Sequence, residues 1–137
     1  MFATLLLALT VTQNQVAQAP CSGADPAITS VAVQSVNPDG DVNRYQLAVT
    51  VVNRGQDSQG GNVLQSVDIF QDGNKVGEKG LPPLKTGESY NFVYSFVRAA
   101  DAGNNTTHLA FVLDMHQPSG ISSQHCDAAG DRYMLRV

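Results

Sequence analysis

Side chains that could bind a soft metal are concentrated near the C-terminus. They are Met115, His116, His125, Cys126 and Met134. Imidazole and sulfur ligands suit copper, but blue-copper sites place the cysteine before the second histidine, whereas His125 precedes Cys126 here. We therefore predict no metal site and no cofactor. The alternative function is a small periplasmic copper-binding protein that uses Met115, His116, His125 and Met134.

Oxygen-bearing side chains alternate at Asp39, Asp41 and Asn43, as they do at the start of a calcium-binding loop. Such a loop also requires glycine at its sixth position and glutamate at its twelfth. This chain has Arg44 and Thr50 at those positions. The segment is therefore predicted to be a polar hairpin turn.

Signatures of common enzyme classes do not occur in the sequence. It contains no GxSxG elbow, no HExxH pair and no GxxxxGK[ST] phosphate loop. Eight Lys and Arg against twelve Asp and Glu leave a formal net charge of -4, and no basic cluster could neutralise phosphates. We predict a protein that is not an enzyme and does not bind nucleic acid.

The N-terminus resembles a secretory signal. The uncharged apolar run MFATLLLALTV is followed by a polar stretch and by the small-residue pattern Ala17-Gln18-Ala19. The run is too short for a membrane span, which needs roughly 20 apolar residues. We predict a signal peptide over 1–19 and a mature domain over 20–137, secreted or periplasmic, with no membrane span after cleavage. A filament subunit that retains the apolar run as a donor strand is a weaker alternative.

The two cysteines, Cys21 and Cys126, lie near the ends of the predicted mature domain. An even pair in an exported protein is more often a disulfide than two free thiols. Closing so long a loop is worth on the order of 4 kcal/mol in the loop-entropy model. We predict a Cys21–Cys126 disulfide.

Apolar residues alternate with other residues along most of the chain, and turn-forming residues separate the alternating segments. No segment after the signal shows a sustained helical period. About seven strands in a single domain predict an all-β, immunoglobulin-like antiparallel sandwich. The predicted strands are 28–36, 45–51, 63–69, 75–79, 90–96, 109–113 and 132–137.

Four turn motifs follow one another in order: Asn53-Arg54-Gly55 after a strand, Asp72-Gly73 after the next, the turn Leu84-Lys85-Thr86-Gly87, and a strand ending in Val112-Leu113-Asp114. This order resembles the CARDB family, the cell adhesion related domain found in bacteria, over roughly 25–137. The resemblance implies an immunoglobulin-like fold and a non-catalytic extracellular role in adhesion or display. Family members often continue with an acidic Asn-Asn segment, which this chain lacks, so no ligand role tied to that segment is implied.

In the strand around Tyr94, the aromatic side chains are expected to face the core, which leaves the intervening valines on the outer side. Immunoglobulin-like topology pairs this strand with 45–53, whose outward residues are small. Together these small outward side chains are expected to form one apolar patch. The predicted interaction face, the valine face, consists of Ala48, Thr50, Val52, Val93 and Val97.

These observations predict a secreted or periplasmic module for binding, adhesion or structure that acts through a face or edge of the sandwich. Its partner is expected to be a protein or a cell surface, with self-association as one form of that interaction.

Overall fold

The computed structural model of this protein describes residues 23–101, 105–116 and 130–137. Seven β-strands account for most of these residues, and none of the described residues lies in a helix that could cross a membrane. The strands are β1 (Pro26–Asp39), β2 (Val42–Asn53), β3 (Gln65–Gln71), β4 (Asn74–Leu81), β5 (Ser89–Ala99), β6 (His108–Met115) and β7 (Arg132–Arg136).

The strands form two antiparallel sheets that pack face to face. The three-stranded sheet has the order β1-β2-β5, and the four-stranded sheet has the order β4-β3-β6-β7. The predicted immunoglobulin-like sandwich is confirmed, as is the pairing of the strand around Tyr94 with 45–53. The first hairpin is longer than predicted because β1 continues through Pro38 to Asp39. Only Gly40 and Asp41 remain as the turn, and Gly40 has a φ of 60°.

The core lies between the sheets, where the inward side chains of the alternating strands meet. Tyr94 packs edge-on against Phe111 at 6.1 Å between ring centroids, which joins the two sheets. Tyr45 stacks on Phe96 at 4.9 Å within the three-stranded sheet. The largest fully buried apolar side chains are Phe111, Leu47, Ile69, Leu84, Leu109, Val49, Val51 and Val67.

The turn between β3 and β4 consists of Asp72 and Gly73, with φ angles of 48° and 86°. Two consecutive residues with positive φ define the type I′ turn, whose twist matches that of the adjoining strands. The backbone N–H of His108 donates to Asp72 Oδ1 at 3.0 Å, which ties this turn to the start of β6. The predicted turn is therefore a fixed corner of the four-stranded sheet.

The end of β2 is held by the side chain of Asn53, which is fully buried. Its Oδ1 accepts from the backbone N–H groups of Asp25 at 2.9 Å and Gly55 at 3.0 Å. Its Nδ2 donates to the backbone carbonyls of Asp57 at 2.9 Å and Leu84 at 3.0 Å. One side chain thus connects the entry to β1, the β2–β3 loop and the loop before β5.

The starts of the first and last strands lie at the same end of the sandwich. Gly130 approaches Ala27 so closely that a Cβ at Gly130 would collide with the alanine side chain. Cys21 and Cys126 themselves lie outside the described residues, so their disulfide remains a prediction.

Candidate functional site

All five residues of the valine face lie on the outer side of the three-stranded sheet. Val93 and Val97, on the edge strand β5, have side chains that are 54% and 45% exposed. Ala48, Thr50 and Val52 alternate along the central strand β2 with residues that enter the core. The alternation therefore identified correctly which side chains point outward.

The valine face does not form one continuous apolar patch. Ala48 lies between Ala32 on β1 and Val93 on β5, which gives a single apolar row across the three strands. Polar side chains border this row on either side. Thr50 donates a hydrogen bond to Asn91 at 2.8 Å, and Ser35 donates to Gln46 at 3.2 Å.

Val52 and Val97 lie beyond these polar rows, at opposite ends of the sheet. Val52 is paired with Ser89, and Val97 is paired with Arg44. The central apolar row is therefore the part of the predicted face that could be desolvated as a unit.

The described residues of the predicted copper set are not brought together. Met115 packs against the core, on the opposite side of β6 from His116. Met134 is 61% exposed on β7 and is paired with Ala110. Ala110 lies six residues before His116, about 20 Å along an extended strand. His125 lies outside the described residues.

His116 instead contacts two carboxylates, one on β4 and one on β6, the strand that it follows. Its Nε2 lies 3.4 Å from Glu78 Oε1 and 3.7 Å from Asp114 Oδ2. Ligand atoms of Asp68, Glu78 and His116 all lie within 4.8 Å of one another. We call this group, with Ser66, Lys75 and Asp114, the polar cluster.

The registers of the four-stranded sheet create the polar cluster. Asp68 on β3 is directly opposite Glu78 on β4, and Ser66 is directly opposite Asp114 on β6. The Ser66 hydroxyl donates to Asp68 Oδ1 at 3.0 Å and lies 2.9 Å from His116 Nε2. Three strands and the residue after β6 therefore place these side chains at one spot on the outer face.

Lys75 partly compensates the negative charge of the polar cluster. Its Nζ lies 3.3 Å from Glu78 Oε2 and 3.6 Å from Asp68 Oδ1. Desolvation alone would lower the pKa of Lys75, but the hydrogen bond to Glu78 and the charges of Asp68 and Glu78 together raise it above its usual value. One ammonium thus contacts the carboxylates of Asp68 and Glu78, whereas the carboxylate of Asp114 lies beside His116.

Sequence reasoning missed Asp68 and Glu78 as candidate site residues. The sequence did contain one sign of this site, because Asp68 is a carboxylate at an outward-facing strand position between Val67 and Ile69. Its side chain is only 10% exposed, although it lies on the solvent side of the sheet. Acidic side chains are rarely buried to that extent without partners.

A groove of about 440 Å³ runs along the same outer face, next to the polar cluster. Asp68 and Asp114 belong to both features. Apolar side chains of Phe70, Val112 and Met134 also line it, together with Arg132. The outer face of the four-stranded sheet therefore contains a groove lined by both polar and apolar side chains.

Comparison with known proteins gives a likeness in structure only. No protein-family model and no curated protein matches the sequence. Among solved structures, the CARDB domain of a Pyrococcus furiosus protein, determined in complex with di-metal ions, is similar with a TM-score of 0.55 at 11% sequence identity. The alignment covers 90% of this chain and 95% of that domain. The fold of this chain is therefore CARDB-like.

Proposed function

We propose that this protein is a secreted or periplasmic, non-catalytic binding module that acts in adhesion or assembly through the central apolar row of the valine face. The observation that carries the proposal is the exposure of Val93. This side chain is 54% exposed and continues an apolar row through Ala48 to Ala32. The outer face of an antiparallel sheet normally carries polar residues, so a flat apolar row favours contact with another protein.

The CARDB-like fold supports a role in adhesion rather than catalysis, as an analogy between folds. Export is supported by the predicted signal peptide. The partner is a protein, and the simplest partner is a second copy of this chain. Two flat faces of this kind can pack against each other about a two-fold axis.

The two alternatives receive less support. The copper set would need Met115 and Met134 beside His116, but Met115 faces the core and Met134 lies far along the sheet. A filament subunit would need the apolar N-terminal run to be retained in the mature protein. N-terminal sequencing of the native protein tests that alternative, because a start after residue 19 excludes it.

The proposed function is tested by sedimentation velocity on the processed protein over a range of concentrations. We expect concentration-dependent self-association that Val93→Asp abolishes, since a carboxylate in the apolar row could not be desolvated without cost. Val76→Asp is the matched control, because Val76 is 47% exposed on the other sheet. Circular dichroism should show that both variants keep the fold.

A wild-type protein that stays monomeric at the highest soluble concentration would contradict the proposal for a second copy as partner. Equal loss of association in Val76→Asp and Val93→Asp would contradict the assignment to the valine face.

A further inference from the structure

We propose that Asp68, Glu78 and His116 form a binding site for a divalent transition-metal ion such as Zn²⁺. The ammonium group of Lys75 occupies the position of the ion when no metal is bound. This inference is independent of the proposed binding function and departs from the prediction of no metal site. It begins from one spot on the outer face where ligand atoms from three parts of the sheet lie within 4.8 Å of one another.

The ligand types favour zinc over calcium or magnesium. Two carboxylates and one imidazole match the mixed oxygen and nitrogen sets that bind Zn²⁺, with water in the fourth position. Calcium takes six to eight oxygen ligands and magnesium is held mainly by oxygens, so neither ion uses the His116 nitrogen. The 3.4 Å between His116 Nε2 and Glu78 Oε1 is close to the separation of two ligands at about 2.1 Å from one tetrahedral ion.

Two further features distinguish the polar cluster from an ordinary group of surface acids. The Asp68 side chain is nine-tenths buried on the solvent side of the sheet, and among the described residues it forms one ion pair, with the Lys75 ammonium at 3.6 Å. A metal on His116 Nε2 would replace the 2.9 Å contact between that nitrogen and the Ser66 hydroxyl. The hydroxyl also donates to Asp68 Oδ1 at 3.0 Å, a bond that metal binding leaves intact and that holds this ligand in place. Such outer-shell hydrogen bonds orient ligands in metal sites.

Lys75 is the residue that would regulate this site. Its ammonium lies between the carboxylates of Asp68 and Glu78, where a cation would bind, and its side chain is 46% exposed. A long exposed side chain can swing into solvent, so metal entry requires no change in the strands. The carboxylate of Asp114, 3.7 Å from His116 Nε2, adds negative charge that favours a divalent ion over a single ammonium.

The inference is tested by titrating the processed, oxidised protein with zinc chloride and following the heat of binding. We expect one Zn²⁺ per chain, and neither Ca²⁺ nor Mg²⁺ should compete. Glu78→Gln and Asp68→Asn should each weaken Zn²⁺ binding at least tenfold. His108→Ala is the matched control, since the exposed His108 lies outside the polar cluster.

The role of Lys75 is tested separately with Lys75→Met. Removing one positive charge a few ångströms from a divalent ion should tighten Zn²⁺ binding on the order of tenfold. Lys79→Met is its control, because it changes the net charge equally on the same strand without belonging to the polar cluster. A Co²⁺ absorption spectrum typical of four-coordinate geometry should appear in the wild type and be lost in Glu78→Gln.

Several results would overturn the inference. Absence of saturable Zn²⁺ binding is one, and unchanged binding in both Glu78→Gln and Asp68→Asn is another, since the metal would then be held elsewhere. Glu78 is half exposed, so Glu78→Gln remains informative even if Asp68→Asn fails to fold. Equal effects of Lys75→Met and Lys79→Met would refute displacement of Lys75.

Discussion

Replacing Asn53 with alanine removes the side chain that connects three loops at one end of the sandwich. Two backbone N–H groups, those of Asp25 and Gly55, lose their hydrogen-bond acceptor. The two carbonyls that accept from Nδ2 are less affected. The Leu84 carbonyl keeps a bond from the Gln59 backbone N–H at 2.9 Å, and the carbonyl of Asp57, an exposed residue, can bind water.

The free energy of unfolding should fall mainly because of the two N–H groups. Each buried donor left without an acceptor costs about 1–3 kcal/mol, so Asn53→Ala should destabilise the protein by roughly 2–6 kcal/mol. The total free energy of unfolding of a domain of this kind is about 5–15 kcal/mol. The loss is therefore a large fraction of the total stability and should be measurable by denaturant unfolding.

Urea unfolding followed by circular dichroism measures this difference by linear extrapolation. Asn91→Ala is the matched control, because Asn91 is exposed and its side chain accepts a hydrogen bond from Thr50 on the outer face. That variant should change stability by less than about 0.5 kcal/mol. If Asn53→Ala were no more destabilised than Asn91→Ala, the assignment of Asn53 as the connecting residue would be refuted.

Three further predictions follow from the structure. Burial raises the pKa of the Tyr94 hydroxyl above its usual 10.0. The stability that the neutral hydroxyl contributes is therefore present below pH 10 and is lost as the pH rises through the pKa of the folded state. An alkaline titration followed by tyrosinate absorbance should show a phase at higher pH than the other tyrosines, and Tyr94→Phe should remove it. Gly55→Ala should lower the free energy of unfolding by about 1–3 kcal/mol, because the new Cβ would lie 2.5 Å from the Asp25 backbone N. Gly60→Ala is its control in the same urea assay and should be neutral, because a Cβ there has nothing within 4 Å. Free-thiol counting on denatured, unreduced protein should find none, and two reactive thiols would refute the Cys21–Cys126 disulfide.

The strands were predictable because their signals are local. Alternation and turn chemistry can be read within a few residues, as at Asp72-Gly73, where positive φ angles were expected and occur. The outward direction of Val93 was predictable for the same reason. The residues beside Val93 were harder to predict, because they depend on the register between two strands. That register places Ala48 beside Val93 and Arg44 beside Val97.

The polar cluster could not be predicted because its members are distant in sequence. His116 was considered a metal ligand only in the copper alternative, where its partners were sought among sulfur and imidazole residues such as Met115. Strand alternation turns Met115 into the core, and the sheet registers bring Asp68 and Glu78 to His116 instead. Cross-strand pairing decides such sites, and one sequence does not specify it.

If the apolar row of the three-stranded sheet is a binding surface, its side chains change environment when two chains associate. The most direct measurement is the concentration dependence of methyl chemical shifts in the processed protein. We expect the methyl groups of Ala48 and Val93 to shift together as the concentration rises, while those of Val76 and Met134 on the other sheet remain constant. Constant shifts at Ala48 and Val93, or shifts confined to Val76 and Met134, would contradict the proposal.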